Sequence, residues 1–76
     1  MNMDYSMKMK LLNAVRSHYS AQASRAQANL DLYLENSVGI GEHADLVEEL
    51  VKFVDQIAHA KDCLQTVESI IKSLSS

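Results

Sequence analysis

The two glycines of the chain, Gly39 and Gly41, lie in one short segment near its middle, and the sequence contains no proline. Glycine and proline are the residues that most often interrupt helices, so the segments on either side of this turn can each continue unbroken. Both segments carry apolar residues at helical spacing. The sequence therefore predicts an all-α fold. We expect an antiparallel two-helix hairpin, with helices over about residues 4–36 and 42–74, in a single domain that covers residues 1–76.

The first segment has a seven-residue repeat, which is typical of a helix that packs along one stripe. Asp4 is the expected N-cap of this helix, and the polar stretch over residues 17–20 leaves its continuity open. All three tyrosines belong to the stripe, so we interpret them as packing residues with hydroxyls at the solvent edge rather than as a ligand-stacking surface. The stripe consists of Tyr5, Leu12, Tyr19, Ala26 and Tyr33, with Met9, Ala23 and Leu30 beside them.

The second segment has a stronger pattern, in which apolar residues recur in alternating steps of four and three. This seam runs through Leu46, Leu50, Phe53, Ile57, Ala60, Leu64, Val67, Ile71 and Leu74. A second apolar row lies beside it, and one partner helix cannot cover a stripe of this width. The row is therefore the predicted partner-binding surface, facing either another protein or a second copy in a four-helix bundle. It consists of Val47, Val51, Val54 and Ala58.

The two stripes are complementary when the chain folds back at its glycines. Residues whose numbers add to 79 then face each other, so that Tyr19 meets Ala60 and Ala26 meets Phe53. Large residues oppose small ones in both pairs, which keeps the distance between the helices even. Arg16 is the poor fit in this arrangement, and we expect its stem to lie along the edge of the seam.

Few residues have the spacing that catalysis or metal binding requires. His59 and Cys63, one turn apart, could hold two positions of a metal, with Asp55 and Asp62 on the same helix and His18 on the other. A surface histidine beside a half-buried cysteine is the simpler interpretation. The glycines lack the lysine and the preceding strand of a phosphate-binding loop. We therefore predict a protein that is not an enzyme, with no catalytic residues, no cofactor and no metal.

The charge of the chain argues against nucleic acid as a general partner. The formal net charge is −3, although the first 35 residues contain four basic and three acidic groups. Nucleic-acid contacts could involve only the cations of the first helix, which do not form one stripe: Lys8, Lys10, Arg16 and Arg25. A lone cysteine and the lack of an apolar leader or membrane-spanning stretch predict a cytoplasmic protein that does not bind membranes.

The region over residues 29–46 also carries a resemblance to a known group of proteins. Its centre, residues 36–43, reads Asn-Ser-Val-Gly-Ile-Gly-Glu-His. This segment resembles the turn of small helical-hairpin proteins of T4-like phages, such as the small reading frame adjoining the UvsW recombination helicase. The resemblance implies an accessory role in phage DNA recombination, replication or repair, linked to that helicase, in the host cytoplasm. A nucleic-acid-binding accessory factor and a phage protein that binds a host partner are the alternatives.

Overall fold

A computed structural model shows two helices packed against each other as a hairpin. It describes the backbone over residues 2–36 and 43–75, and the side chains over residues 5–36 and 45–75. Helix α1 covers Asn2–Asn36 and helix α2 covers His43–Ser75. The predicted all-α hairpin is confirmed, with no strand in these ranges. The connecting turn with Gly39 and Gly41, and the predicted roles of those glycines, lie outside the described residues.

The ends of the helices differ slightly from the prediction. Helix α1 begins at Asn2, so Asp4 lies inside the helix and the prediction that it is the N-cap is wrong. The same helix passes through residues 17–20 without a break, because the seam on either side keeps it packed against α2. At its C-terminus, Asn36 Nδ2 donates a hydrogen bond to the carbonyl of Leu32 at 2.8 Å. This bond ties the side chain of the last helical residue back to the preceding turn of the helix.

The core follows the two predicted stripes. Ala26, Ala60 and Val67 are 1%, 0% and 4% exposed, and most other stripe residues are half-buried. The predicted seam residues are therefore confirmed as the core, with two exceptions. Tyr5 and Leu74 are exposed at the open end of the hairpin. Tyr5 and Ser75 nevertheless bring their hydroxyl oxygens to 3.5 Å at that end. The resulting molecule measures 60 × 14 × 13 Å, and its core is a thin line of side chains.

One aromatic contact differs from the predicted pairing. The rings of Tyr33 and Phe53 meet edge to face, with centroids 5.1 Å apart, whereas the register places Leu46 opposite Tyr33. Long helical side chains lean toward the N-terminus of their own helix. In an antiparallel hairpin, Tyr33 therefore leans away from the turn and Phe53 leans toward it. Their rings meet midway although their backbones are offset along the hairpin.

The two flanks of the seam are covered to different extents. On one flank, four residues that immediately precede seam positions are half-buried, namely Gln22, Asn29, Glu49 and Cys63. We call this the closed flank. On the other, the open flank, residues that immediately follow seam positions, such as Gln27, Val47 and Val54, are all exposed in the described ranges. Polar side chains thus lie against the seam at the covered positions, although Val15 and Ile70 on the same flank are 41% and 44% exposed. On the opposite flank every described position is exposed, including Val47 and Val54.

Candidate interaction surfaces

The predicted partner-binding residues lie on the open flank of helix α2. Val47, Val51 and Val54 are 57%, 51% and 51% exposed, and Ala58 is also exposed. We refer to these four residues as the helix 2 row. Their spacing of four, three and four residues aligns them along one side of the helix. A row of β-branched residues in water marks an interaction surface when its members are contiguous, unlike scattered apolar residues.

A shallow groove between the helices extends this surface. Ile57 and Lys61 line it from α2, and Gln27, Ala28 and Asp31 line it from α1. Gln27 Nε2 donates a hydrogen bond to Asp31 Oδ1 at 2.9 Å. The α1 side of the groove is therefore polar, and its side chains are held by this bond. The helix 2 row and the groove together form an apolar strip with one polar edge. An elongated segment such as a helix fits a strip of this shape.

The outer edge of the helix 2 row is acidic. Glu48, Asp55 and Asp62 are exposed and follow one another at seven-residue spacing, beside the row and away from the seam. The nearest cation on this part of α2, Lys52, is engaged with Glu49, with Nζ 3.3 Å from Oε1. The outer edge of the row is therefore negatively charged along its whole length, whereas the exposed Lys61 lies on its groove side. The outer edge favours a partner with basic side chains.

The predicted nucleic-acid residues are not brought together. Arg16 Nη1 lies 2.7 Å from Glu68 Oε1 on α2, and the same guanidinium bonds Asn13. This interhelical pair places Arg16 at the seam edge, as the sequence predicts, and uses its charge within the hairpin. Lys8, Lys10 and Arg25 are exposed, but the 100° rotation per residue points them in different directions around α1.

The closed flank holds the cysteine and two of the three histidines. Cys63 Sγ lies 3.5 Å from His59 Nε2. The Tyr19 ring lies edge-on to both His59 and His18, with centroid distances of 6.0 and 4.8 Å. The pKa of Tyr19 is raised, first by its hydrogen bond to Cys63, then by the negative charge of that sulfur when deprotonated, and then by burial.

This cluster supplies too few ligands for a structural metal site. His18 contacts Tyr19 and does not join Cys63 and His59 in a ligand set. Among the described residues, no group of three or more histidine, cysteine, aspartate or glutamate side chains could hold a metal ion. Two ligands leave a four-coordinate zinc ion half bound, and in this structure Cys63 and His59 contact each other directly.

A second exposed row lies on α1 and was not predicted from the sequence. We call it the helix 1 row, and its spacing alternates between four and three residues from Met7 to Leu32. Met7, Leu11 and Leu32 are 53%, 60% and 54% exposed on the side of α1 that faces away from α2. The alternating spacing could have identified this row in the sequence. It is hard to recognise there because five of its eight positions are His18, Arg25 and three alanines. The complete row is Met7, Leu11, Ala14, His18, Ala21, Arg25, Ala28 and Leu32, and all of these residues are exposed.

Comparisons with known proteins give no relative from which a function could be transferred. No family model matches the chain, and neither the curated proteins nor the solved structures include a significant match. In the described residues, no helix is both long and apolar enough to cross a membrane. The two exposed rows are therefore the features on which a functional assignment must rest.

Proposed function

We propose that this protein is a small helical interaction module without enzymatic activity, which docks on a protein partner through the helix 2 row. The observation that carries the proposal is the exposure of three valines at helical spacing on the open flank, at 51% to 57%. Leaving such a row in water has a cost that partner binding removes, at about 25 cal/mol for each Å² of apolar surface covered.

The borders of the row specify the chemistry of the partner. An apolar helix with basic residues along one edge would fill the strip and place its cations beside Glu48, Asp55 and Asp62. The resemblance of residues 36–43 to T4-like phage proteins supports a recombination helicase as the protein that carries this helix. The module would then act in the host cytoplasm as an accessory of that helicase in recombination, replication or repair of phage DNA.

Direct binding of DNA has weaker support. A phosphate-binding face needs cations on one side of the protein, and Arg16 is engaged with Glu68 while Lys8, Lys10 and Arg25 diverge. The net charge of −3 opposes association with a polyanion. A host protein with the same basic, apolar helix would satisfy the surface equally well and is the alternative partner.

The proposal can be tested with a purified phage recombination helicase and calorimetric titration. Val51→Glu places a charge at the centre of the row, and we expect it to weaken binding at least tenfold, which is about 1.4 kcal/mol. Leu11→Glu is the matched control, since Leu11 is similarly exposed but lies on the other row. Equal affinity for Val51→Glu and the unmodified chain would contradict the proposal. Binding of the unmodified chain to DNA alone at low salt would instead favour a nucleic-acid-binding accessory factor.

A further inference from the structure

The helix 1 row has a spacing that reads the same from either end. Its steps are four, three, four, three, four, three and four residues, from Met7 to Leu32. A two-fold axis at its midpoint therefore pairs residues whose numbers add to 39. Met7 meets Leu32 of a second copy, Leu11 meets Ala28, and His18 meets Ala21. Each side chain on this surface thus has a counterpart on an identical surface, which is the condition for an isologous interface.

The sizes of the paired side chains also fit. Leu11 is large and Ala28 is small, and the same holds for His18 and Ala21. Ala14 lies opposite Arg25, whose long stem can lie over a small residue while its guanidinium reaches water. Alternation of large and small residues allows two helices to interdigitate at close range. The alanines are therefore positions of close approach between two copies.

Charge along one edge of the row selects the same register. Lys10 lies beside the row near its start and Asp31 beside it near its end, and both are exposed. Residues along this edge face each other with numbers that add to 41, an offset of two residues or about 3 Å from the row itself. In the two-fold arrangement Lys10 of each copy therefore lies across from Asp31 of the other, while Ser17 lies across from Ser24. Shifting one copy by a heptad removes both opposite-charge pairs. The helix 2 row differs, because two copies packed antiparallel through it would bring Glu48, Asp55 and Asp62 against their own counterparts.

We propose that the outer face of α1 is a homodimer interface, in which two copies pack antiparallel through the helix 1 row. The row is about 38 Å long at 1.5 Å per residue. A strip about 10 Å wide would bury roughly 800 Å² in total, which is below the range of stable specific interfaces and within that of weak, transient ones. The dimer is accordingly weak, with a dissociation constant in the micromolar range. It leaves the helix 2 row free, so dimerisation goes beyond the partner binding proposed above and does not depend on it.

Sedimentation equilibrium of the full chain over about 1 µM to 1 mM tests the dimer. We expect a reversible monomer–dimer equilibrium that Leu11→Glu weakens at least tenfold and Val51→Glu leaves within twofold of the unmodified chain. Circular dichroism serves as the control for folding, and we expect both variants to remain helical because Leu11 and Val51 are exposed. A monomer throughout the range would overturn the proposal. So would a dimer that is lost in Val51→Glu and kept in Leu11→Glu, since the interface would then lie on α2.

A charge reversal tests the register itself. Lys10→Glu alone and Asp31→Lys alone should each weaken the dimer about three- to tenfold, because each change places like charges together twice in the two-fold arrangement. The double variant carrying both changes restores opposite charges and should recover most of the affinity. A double variant as weak as the product of the two single effects would overturn the proposed register. Recovery that persists in 1 M NaCl would also contradict the electrostatic pairing, because such salt screens exposed ion pairs.

Discussion

The two exposed rows of this hairpin have similar spacing but different surroundings. Each follows alternating steps of four and three residues along its helix, and each contains large apolar residues that are about half exposed. The helix 2 row is bordered by acidic residues of one sign, Glu48, Asp55 and Asp62. One edge of the helix 1 row carries one cation and one anion, Lys10 and Asp31, placed at opposite ends, and Lys8 lies on the other edge.

This difference shows how the edge of an apolar surface determines what can cover it. Apolar burial is non-directional and would accept either a second copy or an unrelated helix. Charges at the border distinguish the two, because a border of one sign repels its own copy and a border of both signs attracts it. The helix 2 row is therefore suited to a different, basic partner, and the helix 1 row to self-association.

The largest effect is expected for a change that tests whether the helix 2 row lies outside the core. Ala60 is 0% exposed and Ala58, two residues earlier, is exposed. Ala60→Leu should overpack the seam and lower the free energy of unfolding by about 1–3 kcal/mol. Ala58→Leu should change it by no more than about 0.5 kcal/mol. Urea denaturation of the two variants measures both values, and equal losses would place Ala58 inside the packed core.

Replacement of Ala26 probes the same core from the other helix. Ala26 is 1% exposed, and Ala26→Leu is expected to destabilise the hairpin by about 1–3 kcal/mol. Ala28→Leu, on the helix 1 row, is the matched control and should leave the free energy of unfolding within about 0.5 kcal/mol. A neutral Ala26→Leu would show that the helices pack in another register.

A change to the acidic border should make the two rows more alike. Removing two charges with Glu48→Gln and Asp55→Asn should permit weak self-association through the helix 2 row, because the repulsion between copies falls. We expect a severalfold stronger tendency to form species beyond the dimer in sedimentation velocity. The control is Glu35→Gln, which removes a charge outside this border. An unchanged distribution of oligomeric species would show that the acidic border does not prevent self-association through the helix 2 row.

A smaller effect is expected from the ion pair that uses Arg16 within the hairpin. Glu68→Gln should lower the free energy of unfolding by no more than about 1 kcal/mol, since an exposed pair contributes little. It should leave dimerisation unchanged, because Arg16 borders the seam and not the helix 1 row. Thermal unfolding and sedimentation measure the two outcomes. A weaker dimer in this variant would mean that Arg16 belongs to the surface of the dimer.

The smallest effect concerns the closed flank, which neither row includes. The raised pKa of Tyr19 depends first on Cys63, so Cys63→Ala should shift the Tyr19 pKa back toward its usual value near 10. Because the pKa is raised on folding, this contribution to stability is complete below pH 10 and is lost as the pH rises through the folded pKa. Carbon NMR of labelled tyrosine follows the titration of Tyr19 in the variant and in the unmodified chain. An unchanged Tyr19 pKa would show that Cys63 is not the cause of its raised value.

Most of the hairpin could be predicted from the sequence because its pattern is periodic. A seam with alternating steps of four and three identifies core positions such as Ala60 and Val67 without knowledge of the fold. The Tyr33–Phe53 contact could not be derived in this way, since spacing does not include the direction in which side chains lean. The half-buried Cys63 was predicted, but the covering of the polar residues on the closed flank, such as Gln22, was not, because it depends on how the two helices rotate about each other.

The two candidate surfaces also differ in how clearly the sequence shows them. The helix 2 row consists of three valines and an alanine, and its apolar excess is visible in the sequence. The helix 1 row contains three alanines, a histidine and an arginine, and alanine favours a helix at any position, so its presence does not indicate a contact surface. The interpretation of this row as a dimer interface depends on pairing distant positions such as Lys10 and Asp31. That pairing can be derived only when α1 is known to be continuous.

Methyl NMR over a dilution series tests most directly the claim that the two rows have different partners. As the concentration rises from about 10 µM to 1 mM, the account predicts progressive shifts for the methyl groups of Met7, Leu11 and Leu32. The methyl groups of Val47, Val51 and Val54 should remain unchanged until the basic partner is added. Concentration-dependent shifts of the three valines, with Met7, Leu11 and Leu32 constant, would contradict the account.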